Sequence, residues 1–186
     1  MISENGMKNK KFGYLAVDLV NDFVTGKFGS KGAEEVAIRT SEALKKLHID
    51  KFFAMDTHIK NDPEFSIWGE HCLAGTEGSE LYPLLSGINA YRVRKRHYDS
   101  FFETDLDGLL RSLGITDIIV SGISTDICVL HTVSGAFHRY YRTYVVKDLC
   151  YSIDKNSGNA ALSNMKRLYG TVILDSKDIA TVISQI

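Results

Sequence analysis

The sequence predicts an α/β protein: three layers, α-β-α, around a doubly wound, mostly parallel sheet of six strands. Two patterns carry that expectation. Short runs rich in β-branched and aromatic residues alternate with segments of helical period. Most of these runs lack polar alternation, as strands do when helices cover both faces of their sheet. The length suits one domain spanning 1–186.

The elements follow in order. Strand-like runs lie at 14–17, 52–55, 91–94, 118–120, 144–146 and 171–174. Between the first two, Val36, Thr40, Ala43, Leu44 and Leu47 share one helical face. Leu106, Leu109, Leu110 and Leu113 make a second face, opened by Thr104 as N-cap and closed by Gly114. A third helix is expected over about 125–138, with Val129, Val133, Ala136 and Phe137 toward the core. A fourth places Leu162, Met165, Leu168 and Tyr169 before Gly170, and a short last one carries Ile179 and Ile183. Residues 59–87 read as one long loop holding both prolines and the only Trp, a length that marks function or disorder.

Composition narrows the function classes. A net charge of -1, with both signs interspersed, gives no reason to invoke nucleic acid or an anionic membrane. The first eleven residues lack the apolar stretch of a signal peptide, and no segment approaches the ~20 apolar residues of a membrane span, so a cytoplasmic protein is expected. Three cysteines without secretory context read as reduced thiols. A small-molecule substrate remains as the partner.

Ligands of open parallel sheets bind beyond the carboxyl ends of the strands. Here the first strand ends in Asp18, the second in Asp56-Thr57-His58, the third in Lys95, and the fourth in the turn before Cys128. Cys128 follows a strand and opens a helix, where the dipole and free N–H groups favour a thiolate and can hold an oxyanion. The same position also suits a packed structural thiol, as Cys150 and Cys72 are read, with Cys72, next to His71, read alternatively as a minor metal ligand. Asp18 fits a proton acceptor or a turn residue, and Lys95 an anion stabiliser or part of a solvated basic run with Arg94, Arg96 and His97. His131, one turn beyond Cys128, is an alternative base. Asp56, His58, Glu64 and His71 are a donor mix that suits Zn, Mn or Fe, or else scattered loop polars.

These segments resemble the isochorismatase-like cysteine hydrolases, and within them the nicotinamidase/pyrazinamidase branch. The likeness runs from Tyr14 to about Val146. It rests on Asp18-Leu19-Val20-Asn21-Asp22-Phe23, Asp56-Thr57-His58, Trp68-Gly69-Glu70-His71-Cys72-Leu73-Ala74-Gly75-Thr76, Lys95-Arg96-His97-Tyr98 and Gly122-Ile123-Ser124-Thr125-Asp126-Ile127-Cys128-Val129, in the family's order.

The resemblance implies the isochorismatase-like hydrolase fold and a catalytic triad of Asp18, Lys95 and Cys128. It implies a cis peptide between Ile123 and Ser124, an oxyanion hole from the N–H groups of Ser124 and Cys128, and a pocket of Phe23, Trp68 and Tyr98. It assigns a divalent metal, Zn before Mn or Fe, to Asp56, His58, Glu64 and His71, and it implies a homo-oligomer, dimer or tetramer. Glu64 stands where many nicotinamidases have His, and Ile123-Ser124 replaces the commoner Val-Ala. The activity so implied is hydrolysis of nicotinamide, and of pyrazinamide, to acid and ammonia through a cysteine thioester. Rival readings are a family hydrolase of another small amide or of a vinyl ether, a phosphorylatable signalling domain, and a non-catalytic scaffold.

Overall fold

The computed structural model describes residues 10–184. Its sheet has six strands, β1 (Phe12–Val17), β2 (Asp50–Asp56), β3 (Tyr91–Lys95), β4 (Asp117–Ile123), β5 (Arg142–Tyr151) and β6 (Val172–Leu174), in the order β3-β2-β1-β4-β5-β6. Every pairing is parallel, so the expected mostly parallel sheet is wholly so. The order reverses between β1 and β4, as in a doubly wound fold.

Strand alternation sends β1 side chains into two cores. Tyr14 and Ala16 join Phe53, Met55, Ile119 and Val146 on one face, beneath Val36, Ala37 and Leu44 of α2 (Lys31–Lys46). Leu15 and Val17 join Phe52, Ala54, Ile118 and Val120 on the other. That second face is covered by α5 (Leu106–Ser112), α6 (Leu130–His138) and α7 (Lys155–Tyr169). These are the three expected layers.

Local chemistry fixes the helix ends. The Ser30 hydroxyl accepts from Ala33 N at 3.1 Å and caps α2. Asp154 accepts from Asn156 N and Ser157 N to cap α7, which closes at Gly170 with φ 66°. Thr104 lies one residue before the cap position of α5, and its hydroxyl still accepts from Leu106 N at 3.3 Å.

Some expectations need correction. The helix expected over 125–138 opens as a π-helical turn, Thr125–Val129, before α6. Phe137, expected to face the core, is 42% exposed near the end of α6. β3 alternates, with Val93 and Lys95 buried and Arg92 and Arg94 exposed, because it is an edge strand.

Residues 59–87 are ordered by short elements: α1 (Asn21–Val24) packs on the turn Glu77–Ser79, and α3 (Phe65–Trp68) and α4 (Pro83–Ser86) lie within the segment. Single bridges His58–Leu73 and Val20–Leu81 tie it to the strand ends. No described helix is long and apolar enough to cross a membrane.

Candidate active site

Because β3, β2, β1 and β4 are neighbours in that order, their carboxyl ends put Lys95, Asp56, Asp18 and the turn after β4 side by side. Asp18 leaves β1 with φ 55°, a left-handed conformation that Asp tolerates better than most residues, while its N–H still donates to Ala54 O of β2. Gly122 has φ 134°, and a Cβ there would collide with the Val17 carbonyl, so β1 and β4 approach closely next to Asp18. The Ile123–Ser124 peptide that follows is cis, as the resemblance implied.

Lys95 Nζ lies 2.7 Å from Asp18 Oδ2, 3.2 Å from Asp56 Oδ1 and 3.7 Å from Cys128 Sγ. All four side chains are buried. Lys95 is therefore no member of a solvated basic face; it points in while its neighbour Arg94 pairs outward with Glu80. His131 is exposed against the Tyr98 ring, outside the buried group of Asp18, Lys95 and Cys128. Cys150 is half-buried in β5, and burial pushes its thiol up to about 12.

A cavity of about 300 Å³ opens above the thiol. Phe23, Trp68 and Tyr98 line it as expected, with Ser124 and Cys128 at its base and Asp56, Glu64 and His71 on one side. Trp68 Nε1 donates to Tyr98 OH at 2.9 Å and fixes both rings. The sequence reading missed Phe28, Ile123, Asp126, Ile127, Tyr151, Ile153 and Asp154. Phe28 had a signal, an aromatic five residues from Phe23; the others come from the last residues of β4 and β5 and the segments that follow them, whose approach is tertiary.

The Isochorismatase domain family model matches residues 13–178. The chain belongs to the isochorismatase family. It is 31% identical to the nicotinamidase/pyrazinamidase of Mycobacterium tuberculosis over 174 residues, covering 82% of this chain and 92% of that one. Among solved structures it is similar to N-carbamoylsarcosine amidase from Thermoplasma acidophilum, with TM-score 0.84, 31% identity, and coverage of 91% of this chain and 98% of the other. It is also similar to pyrazinamidase/nicotinamidase from Streptococcus mutans, with TM-score 0.82, 28% identity, and coverage of 88% and 100%.

This isochorismatase-family hydrolase carries a candidate metal centre beside the thiol. Donor atoms of Asp56, His58 and His71 lie within 4.8 Å of one another, all on buried residues. Asp56 Oδ2 is 2.9 Å from His58 Nε2 and 3.5 Å from His71 Nε2. Glu64 stands just outside the group, its Oε1 3.8 Å from His71 Nε2. His71 Nδ1 faces Gly69 O at 2.8 Å, and an N–H donated there leaves Nε2 as a lone pair. A carboxylate oxygen and two imidazole nitrogens converging out of water are a donor set that fits a divalent ion. Cys72, although buried next to His71, stands outside that group.

The electrostatics of the thiol reverse one expectation. A helix N-terminus was expected to lower Cys128; instead burial pushes its thiol well up, Asp18 and Asp56 push the same way, and Lys95 opposes them. Burial likewise raises Asp18, to about 6, against the pull of Lys95. Burial works against the Lys95 charge, but Asp18 and Asp56 outweigh it and hold the ammonium above its usual value. These directions favour a neutral thiol beside a charged Lys95 ammonium.

Proposed function

We propose that this protein hydrolyses a small neutral carboxamide through a thioester on Cys128, with nicotinamide as substrate and pyrazinamide as a molecule of the same shape. The observation that carries this reading is the Asp18–Lys95–Cys128 cluster at the base of an aromatic cavity. In this mechanism Asp18 takes the thiol proton as Sγ attacks the amide carbon, and Lys95 keeps the growing negative charge paired. The N–H groups of Ser124 and Cys128 receive the carbonyl oxygen as it becomes an oxyanion. Asp18 returns the proton to the departing ammonia, and water then cleaves the thioester to the acid, restoring the thiol.

Asp56, His58 and His71, with Glu64 beside them, would hold the divalent ion, Zn first among candidates and Mn or Fe next, and it would supply a Lewis acid. Phe23, Phe28, Trp68 and Tyr98 hold a planar ring by its faces and edges. Among the described residues the lining includes the carboxyls of Asp56, Glu64, Asp126 and Asp154 and neither Lys nor Arg. That balance favours a neutral amide over a dianionic vinyl ether. The similarity to N-carbamoylsarcosine amidase makes a ureido amide the second substrate to try.

The test is ammonia release by protein of defined metal content, offered nicotinamide, pyrazinamide and N-carbamoylsarcosine. Nicotinamide and pyrazinamide are expected to turn over, and the Cys128→Ala variant to lose roughly 10⁴-fold or more while keeping its fold. Full activity in Cys128→Ala, or turnover of N-carbamoylsarcosine alone, would reject the reading.

A further inference from the structure

We propose that Asp62, outside the catalytic cluster, is the positioning residue of the metal centre, setting His58 and Glu64 at once. The proposal rests on the metal reading above.

The buried Asp62 carboxylate makes three contacts. Its Oδ2 is 3.2 Å from His58 Nδ1 and 3.2 Å from Arg96 Nε, and its Oδ1 accepts from Glu64 N at 3.2 Å. His58 is wholly buried, and its backbone is already committed, N to Cys72 O and O to Ala74 N. Its Nδ1 has no other partner among the described residues, and the Asp62 contact is close without being fully aligned. Asp62 is therefore what favours a proton on Nδ1 and leaves Nε2, the atom facing Asp56 and His71, as a lone pair. For His71 a backbone carbonyl does that work; for His58 a side chain must.

The other oxygen shapes the loop. By accepting from Glu64 N, two residues on, it forms the turn that starts α3 and carries the Glu64 side chain to the cavity wall. Arg96 follows Lys95 directly, so the end of β3 serves the thiol with one residue and anchors the metal loop with the next.

The Asp62→Asn variant separates these roles, because an amide has one acceptor oxygen where the carboxylate has two. Either its NH₂ faces His58 Nδ1 and drives the proton to Nε2, or it faces Glu64 N and breaks the turn. Zn(II) affinity is measured by competition with a chromophoric chelator, together with thermal unfolding of the metal-free protein. The expected result is a roughly 10- to 100-fold weaker Zn(II) affinity with the metal-free protein melting as wild type does. In a His58→Ala background the same substitution should cost only a few-fold, since contacts in one network are not additive.

An equal loss in both backgrounds, or a matching fall in the metal-free melting temperature, would show a merely structural role and overturn the proposal. Unchanged Zn(II) affinity in Asp62→Asn would overturn it while leaving the metal centre standing. A wild-type protein that takes up no Zn(II) would sink both. If Asp62→Asn does not fold, Arg96→Gln tests the same contact from its half-exposed side and should weaken Zn(II) about threefold or more; no change there also refutes the proposal.

Discussion

Lys95 Nζ sits 3.2 Å from Asp56 Oδ1, whose companion oxygen is 2.9 Å from His58 Nε2, so a single carboxylate joins the cation beside the thiol to the metal-facing imidazoles. The two halves of the site are therefore coupled through Asp56. Asp56→Asn should weaken metal binding and also slow turnover that excess metal does not restore, because Lys95 loses one of its two counter-charges. A titration of activity against metal checks this. Full recovery at saturating metal would mean that Asp56 serves the metal alone.

In the proposed mechanism Asp18 sets the acid limit of the reaction. Burial raises it to about 6, and only its deprotonated form can accept the thiol proton. At saturating metal, kcat/KM should fall as pH drops through about 6. The stability consequence has the opposite sign. A carboxyl raised above its unfolded value near 4 favours folding most below that value, and the advantage is lost as pH rises through 6. Asp18→Asn should therefore be inactive yet lose less stability than wild type between pH 4.5 and 7.5 in urea unfolding. An equal loss in the two proteins would contradict the raised value.

Much of this was legible in the sequence, and the exceptions have physical reasons. The six strands and four longer helices follow from local period and caps, and the residues at the strand ends converge because parallel neighbours expose the same end. Phe137 misled because helical spacing gives a face without saying where the opposing layer stops. The Cys128 thiol misled because helix position is a local property and burial is not; the depth of the site and the carboxylates of Asp18 and Asp56 push the thiol up. Asp62 looked like any loop aspartate, since its partners His58 and Arg96 are brought together only by the fold.

Gly122 and Gly108 should respond oppositely to alanine. At Gly122 the φ of 134° and the Val17 carbonyl leave no place for a methyl group, so Gly122→Ala should cost about 3 kcal/mol or more and lower the melting temperature by roughly 10 °C. Gly108 lies inside α5 with open space around it, so Gly108→Ala should stabilise by about 0.5–1 kcal/mol through helix propensity. Activity should follow the same split, because Gly122 leads directly into the turn that carries Cys128. Thermal melts of the two variants decide it, and a mild effect at Gly122 would mean that β1 and β4 separate more easily than their contact implies.

Asp117 opens β4 and Arg142 opens β5, at the end of the sheet opposite the thiol, where they form a bidentate pair of 2.7 and 2.6 Å. Burial works against the Asp117 charge, yet the bonds from Arg142, Thr116 and Tyr144 outweigh it and hold the carboxyl below its usual value. A depressed carboxylate stabilises the fold above its unfolded value near 4, and that contribution is lost as pH falls through the lower folded value. Asp117→Asn should therefore flatten the acid limb of stability. Arg142→Met should cost about 2 kcal/mol at neutral pH, a charge-assisted bond to a buried group, and leave turnover unchanged. Chemical unfolding from pH 3 to 7 measures the first effect, and an acid limb of unchanged steepness in Asp117→Asn would assign acid sensitivity elsewhere.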